Sequence, residues 1–301
     1  MPKTHRGYAP HAAFVALAGD RAEPWRTVAG LAVAFAAGLA LYQLAMAVLA
    51  SLLGPSFMRE LLDEATYYGD TPRAVLLSLF SYAFFGAGLA MALSGLHGRG
   101  LRSLIGPWEA ALSDFLRTML AVLALYSGLT LLLPSDLGLL RNDEMSVGLW
   151  LTLLPLSLSA IAVQAGTEEL VFRGYLQQQI AARVRAWPAW VLVPSLLFGA
   201  LHFAPGSAGA NAVAFMIWAT LFGILAADLT GRTGTLGAAL GFHIGINAFA
   251  LMGTALSGPG SGLALYLVPV EADAAELAQM LPVEIATLLV AWLAVRLALK
   301  V

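Results

Sequence analysis

Long apolar segments separated by short polar ones recur along the whole chain. A bilayer crossing takes about 20 consecutive apolar residues in a helix, and eight segments approach or exceed that length. They lie near residues 28–53, 74–96, 115–133, 147–171, 190–203, 212–229, 236–256 and 281–299. The fifth segment is short and is interrupted by Pro194. The pattern predicts an all-α fold, a polytopic transmembrane helix bundle of about eight spans.

The composition is that of a membrane-embedded chain, and it excludes several classes of site and partner. Of the 301 residues, 59% are hydrophobic and 11% are charged. The mean hydropathy is +0.80, well outside the range of soluble domains. The lipid bilayer is therefore an expected partner, and the formal net charge of −2 gives no indication of nucleic acid. The chain contains no cysteine, which excludes disulfides, thiolate metal sites and cysteine nucleophiles.

The basic residues predict an orientation, because Lys and Arg concentrate in short cytoplasmic loops. All but three of the 16 basic residues fall on one side of the predicted bundle. The three exceptions are Arg59, Arg73 and Arg141. We expect both termini to be cytoplasmic, and the Ala- and Gly-rich composition suggests a bacterial inner membrane. The predicted organisation is a cytoplasmic segment (1–27), amino-terminal helices (28–146), a core that carries the polar motifs (147–256) and an outer loop with the last helix (257–301).

Two adjacent carboxylates, Glu168 and Glu169, follow the fourth apolar segment, and Arg173 comes four residues after the second. On a helix Glu169 and Arg173 lie on one face, with the acid first, which is the favourable order for an ion pair. Glu168 points about 100° away, without that partner. A charge at the centre of an apolar helix costs roughly 2.5 to 3.5 kcal/mol, so such residues usually face a bundle interior. We predict a structural role for Glu169 and a chemical one for Glu168.

Two later segments carry polar pairs with the same helical spacing. Phe198 precedes His202 by four residues, and His243 precedes Asn247 by four. A lone membrane histidine is more often a packing residue than a catalyst, and a lone asparagine often joins helices. Three such clusters in an otherwise apolar chain favour hydrolysis: a carboxylate and a histidine can activate water, while a second histidine and a carboxamide can stabilise an oxyanion. No Ser, Asp or His-Glu-x-x-His protease motif competes with this interpretation.

The three clusters, in this order, resemble the hallmark of the CPBP intramembrane proteases. That family includes the CAAX prenyl endopeptidases of the Ras-converting type and many bacterial Abi-domain proteins. Its pattern is Glu-Glu-x-x-x-Arg, then Phe-x-x-x-His, then His-x-x-x-Asn on later helices, and all seven positions match here over roughly 149–254. The resemblance implies an endopeptidase of membrane-associated peptides or lipidated proteins, with a buried catalytic cavity that opens toward the cytoplasm.

The resemblance also implies a role for each matched residue. Glu168 and His202 activate water, His243 and Asn247 form the oxyanion site, and the Glu169–Arg173 pair supports the motif helix together with Phe198. By residue type, Glu168, His202 and His243 could instead bind zinc. The family is now viewed as metal-independent, so we expect no metal cofactor and keep zinc as the alternative.

Two other functions stay open at this point. A non-proteolytic relative could act as a membrane scaffold or bacteriocin-immunity protein, although four costly polar groups argue against it. A proton-coupled transporter could use Glu168 and the histidines as a relay, but it should show paired repeats. The depth of the two histidines in the membrane tests whether one site can form. His243 lies about 10 to 15 Å beyond the start of its predicted span, and His202 lies about 18 Å beyond the start of its own. Assembly of the site requires a short or kinked fifth helix and a fourth helix that continues past Arg173.

Overall fold

A computed structural model describes residues 6–64, 69–132 and 138–301 of the chain. The first five residues of the predicted cytoplasmic segment lie outside these ranges, as do four residues after the third helix and five before the first strand. The helices are α1 (Ala9–Ala16), α2 (Pro24–Leu53), α3 (Pro55–Asp63), α4 (Pro72–Ala92), α5 (Trp108–Leu132), α6 (Val147–Glu169), α7 (Gln177–Arg183), α8 (Trp187–Leu201), α9 (Pro205–Ala208), α10 (Ala212–Thr233), α11 (Gly237–Ala248) and α12 (Ala275–Leu299). The fold is therefore all-α, as predicted.

The membrane-spanning segments follow the apolar pattern, with two informative exceptions. Six helical segments in the described ranges are long and apolar enough to cross a membrane. They are Pro24–Leu53, Pro72–His97, Trp108–Leu132, Val147–Arg183, Pro205–Thr233 and Ala275–Leu299. The fifth and seventh predicted spans are shorter apolar helices, Trp187–Leu201 and Gly237–Gly253. The chain is thus an integral, multi-pass helix bundle, and the two short helices are those that carry the histidine motifs.

The fourth span continues well beyond its predicted end. After α6 the helix passes through a π-helical segment, Leu170–Leu176, and resumes as α7 to Arg183. Three consecutive glutamines, Gln177, Gln178 and Gln179, are buried in this extension. Their amides reach His11, Arg99 and His97 respectively, so the extension is held against the amino-terminal part of the chain. This continuation meets the requirement set by the depth of the two histidines.

Close contact between small residues places α11 against α5. Gly237, Gly241 and Gly245 are spaced by one helical turn and face α5 in succession. A Cβ atom at Gly241 would lie 2.5 Å from the Phe115 carbonyl oxygen, so only glycine permits this approach. Small residues spaced by four are a common device for helix association in membranes. The short α11 is consequently buried among other helices and does not need the length of a lipid-facing span.

The fold also contains a small three-stranded sheet, of which the hydrophobic pattern gave no indication. Its strands are β1 (Leu140–Arg141), β2 (Thr254–Leu256) and β3 (Tyr266–Val268). The central strand β3 pairs antiparallel with β1 and parallel with β2. Strands of two or three residues carry too little periodicity to be recognised in a sequence. Residues 257–262, at the start of the predicted outer loop, lie between β2 and β3, and Ser261 and Gly262 are buried.

Candidate active site

The first motif forms the ion pair that its spacing predicts. The Arg173 Nη1 atom donates to the Glu169 Oε1 atom at 2.7 Å, and both side chains are completely buried. The guanidinium also lies over the ring of Phe198, 4.6 Å from its centroid, and 5.5 Å from that of Phe222. Aromatic faces attract a cation, most strongly where water is excluded. The pair is thus enclosed by aromatic rings, which gives Arg173 and Glu169 a supporting position.

His243 connects the two glutamates. Its Nδ1 atom lies 2.8 Å from Glu169 Oε1, the oxygen that also accepts from Arg173. Its Nε2 atom lies 3.7 Å from Glu168 Oε2, too far for a hydrogen bond but close for two ionisable groups. The imidazole is buried, and its ring meets that of Phe222 edge to face at 4.8 Å. The structure therefore brings Glu168, Glu169 and His243 together.

The hydrogen bonds of this cluster converge on Glu169. Its Oε1 atom accepts from Arg173 Nη1 and lies 2.8 Å from His243 Nδ1. Since a carboxylate oxygen accepts, His243 Nδ1 is the donor in that contact. Glu168 Oε2 is buried and makes no hydrogen bond with any described residue.

Asn247 lies one turn beyond His243 and contacts a residue outside the three motifs. Its Nδ2 atom donates to Gln164 Oε1 at 3.0 Å. Gln164 is buried on α6 and precedes Glu168 by four residues, so the two share one face of that helix. The sequence contained a signal for it, because a glutamine one turn before the motif in an apolar helix is itself unusual.

His202 follows the last residue of α8 and is the least enclosed of the predicted residues. Its Nδ1 atom lies 2.8 Å from the Phe198 carbonyl oxygen, which can only accept, so Nδ1 carries the proton and Nε2 has the free lone pair. The side chain is exposed and makes no hydrogen bond with Glu168. The Phe198 ring packs 4.6 Å from His202 and 6.1 Å from His243. The structure thus brings His202 beside the cluster through Phe198, without direct contact with Glu168.

Tyr82 lies next to the first motif although no motif includes it. It belongs to α4, where its carbonyl oxygen accepts from the Oγ1 atom of Thr167, the residue before Glu168, at 3.2 Å. No local pattern could have identified it, because it is 86 positions from Glu168 and belongs to a span without a motif. Its position shows that the amino-terminal helices contribute to the surroundings of the motif.

The zinc alternative requires Glu168, His202 and His243 to converge. Among the described residues no group of three His, Asp or Glu side chains is arranged to hold a metal ion. Both nitrogens of His243 face carboxylates, and His202 Nδ1 is occupied by its own helix. These side chains do not form a zinc ligand set as they stand, and we derive no step through a metal. The expectation that the protein needs no metal remains a prediction.

The part of the chain that carries the motifs is similar to a known protein family. Residues 150–249 match the family described as type II CAAX prenyl endopeptidase Rce1-like. The chain is also similar to the uncharacterized protein YyaK of Bacillus subtilis (strain 168), at 28% identity over 196 residues. That alignment covers 64% of each chain, so the chain spans just under two thirds of the relative's length. No solved structure matches. The matched segment, 150–249, carries all seven motif residues.

Proposed function

We propose that this protein is an intramembrane endopeptidase that hydrolyses a peptide bond of a membrane-associated or lipidated substrate with water activated by Glu168. The observation that carries the proposal is the buried cluster in which Glu168 Oε2 lies 3.7 Å from His243 Nε2 and accepts no hydrogen bond from the described part of the chain. The match to a family of prenyl endopeptidases supports the same reaction class. A buried carboxylate that is not neutralised by its own ion pair is free to act as a base.

The chemistry divides between the two glutamates. Glu169 is committed to Arg173 and His243, which fixes the motif helix and holds the His243 ring by its Nδ1 atom. Glu168 accepts a proton from water as the water oxygen attacks the carbonyl carbon of the substrate. It then delivers that proton to the nitrogen of the departing amine as the C–N bond breaks.

The other matched residues complete the reaction. His202 presents the lone pair of Nε2, because its Nδ1 proton is bound to the Phe198 carbonyl oxygen, and it can hold or receive a proton of the water. Asn247 retains one amide hydrogen that is not used by Gln164. That hydrogen and a protonated His243 can stabilise the negative charge that develops on the carbonyl oxygen. We also propose that both termini are cytoplasmic and that the membrane is a bacterial inner membrane, from the basic residues and the composition.

The test is cleavage of a membrane-peptide library by the purified protein in detergent. Glu168→Gln keeps the size of the side chain and removes the base, so we expect cleavage to fall by about 10²- to 10⁴-fold. Glu284→Gln is the matched control, since Glu284 lies in the last span and outside all three motifs, and it should cleave at the wild-type rate. Cleavage by Glu168→Gln at the wild-type rate would refute the proposed base.

Each assay is repeated with a chelator. Unchanged cleavage supports glutamate-activated water without a metal ion. Loss of cleavage that zinc restores would overturn the metal-free mechanism and would require His202 and His243 to reorganise as ligands. A wild-type protein that cleaves no member of the library would overturn the protease function in favour of a partner-binding relative.

A further inference from the structure

We propose that Gln164 is a positioning residue of the active site, and that it acts by fixing the carboxamide of Asn247 for oxyanion stabilisation. The inference rests on the proposed protease function. Its basis is the hydrogen bond from Asn247 Nδ2 to Gln164 Oε1 at 3.0 Å. Gln164 is 9% exposed, so this bond is shielded from water, and Asn247 is half-buried at the side of the cluster.

Two facing helices hold four polar side chains in two matched pairs. On α6 Gln164 precedes Glu168 by one turn, and on α11 His243 precedes Asn247 by one turn. Residues four apart on a helix project side by side. One pair across the helices is Glu168 with His243, and the other is Gln164 with Asn247. The same stretch of α6 therefore positions the base and contacts the oxyanion donor.

The chemistry explains why a glutamine suits this place. A carboxamide group has two N–H donors on one nitrogen, and Gln164 accepts from that nitrogen, which fixes the amide plane and leaves the second N–H to donate elsewhere. Donors that are held in place before the reaction stabilise a developing oxyanion far better than donors that must reorient. The glutamine oxygen is also neutral, so it orients the donor without opposing the negative charge of the transition state.

The experiment measures kcat and KM of Gln164→Ala and Gln164→Glu on a peptide that the wild-type protein cleaves. We expect Gln164→Ala to lower kcat by about 10- to 100-fold with KM within about twofold of wild type, because the lost interaction acts only in the transition state. Gln43→Ala is the matched control, since Gln43 is an exposed glutamine of the span α2, and it should cleave at the wild-type rate. The fraction of folded protein is measured for each variant, so that kcat refers to folded enzyme.

Two further readouts separate positioning from a merely structural role. Gln164→Glu retains the acceptor but acquires a charge as it ionises, so its kcat relative to wild type should fall as the pH rises, whereas the ratio for Gln164→Ala should be flat. The double variant Gln164→Ala/Asn247→Ala should be no slower than Asn247→Ala alone, because Gln164 acts through Asn247. A flat ratio for Gln164→Glu, or additive losses in the double variant, would overturn the proposal.

The outcomes also distinguish the two proposals. If wild type cleaves the peptide and Glu168→Gln does not, the protease function holds, and a wild-type kcat for Gln164→Ala then refutes the role of Gln164 alone. If wild type cleaves nothing, the protease function and the role of Gln164 fail together.

Discussion

The buried pair of Glu169 and Arg173 predicts a large and non-additive effect on stability. Both side chains are fully buried, and their atoms meet at 2.7 Å. Two unit charges at about 4 Å attract each other by about 4 kcal/mol at the effective dielectric constant of 20 that suits protein sites. Removal of one partner from a buried pair typically costs about 3 to 5 kcal/mol, because it leaves an uncompensated charge. We expect a cost of this size for Arg173→Met and for Glu169→Gln.

The double variant Glu169→Gln/Arg173→Met carries neither charge, so the two losses should not add. We expect it to be more stable than the sum of the single losses predicts, by about 3 kcal/mol. The measurement is the free energy of unfolding in detergent micelles, by denaturant titration, for wild type and the three variants. Glu169→Gln also alters the acceptor of His243 Nδ1, but this change is common to the single and the double variant and cancels in the cycle.

The chain offers a matched control at its surface. Glu60 and Arg73 form an ion pair at 3.3 Å, with side chains that are 69% and 51% exposed. Solvent weakens such a pair, so the same cycle on Glu60 and Arg73 should give a coupling close to zero. If the buried cycle were as additive as the surface one, the motif arginine would not be an electrostatic partner of Glu169, and its role would have to be packing among the aromatic rings alone.

Three further predictions concern the helices around the site. Burial lowers the pKa of His11 to about 4. The free energy that docks α1 should therefore be complete above pH 6.5 and be lost as the pH falls through 4, by at most about 3 kcal/mol. Hydrogen exchange of residues 9–16 measures this loss. Gly88→Ala should destabilise the protein by about 1 to 3 kcal/mol, because its Cβ would collide with the backbone of α2. Gly128 faces open space, so Gly128→Ala should stabilise α5 by up to about 1 kcal/mol. Thermal unfolding of both variants in one detergent measures the difference. Thr235→Val should lower the free energy of unfolding by about 1 to 2 kcal/mol in a denaturant titration. The reason is that Thr235 donates to Asp114 at 2.7 Å and accepts from the first amide of α11. Equal stability of variant and wild type would contradict a capping role.

The sequence by itself determined the fold class, the approximate number of apolar helices and the ion pair of Glu169 with Arg173. Each follows from a local rule: bilayer thickness sets the length of a lipid-facing helix, and helical periodicity places residues four apart on one face. The motif resemblance also selected the residues of the candidate site. The apolar pattern also marked the helix of His202 as short. It could not show that the helix of His243 is short, because a helix that is buried among other helices does not need the length that lipid requires.

Only the tertiary structure decided which side chains meet across helices. His243 contacts both glutamates, and Asn247 donates to Gln164, because glycines on α11 allow it to approach α5 closely while it faces α6. Tyr82 contacts Thr167, next to Glu168, from a span without any motif, and the small sheet pairs segments more than 100 residues apart. Such contacts depend on how rigid helices pack, and packing is set by shape complementarity between distant segments. For that reason the sequence determined which groups are available for chemistry, and the tertiary structure decided how they are paired.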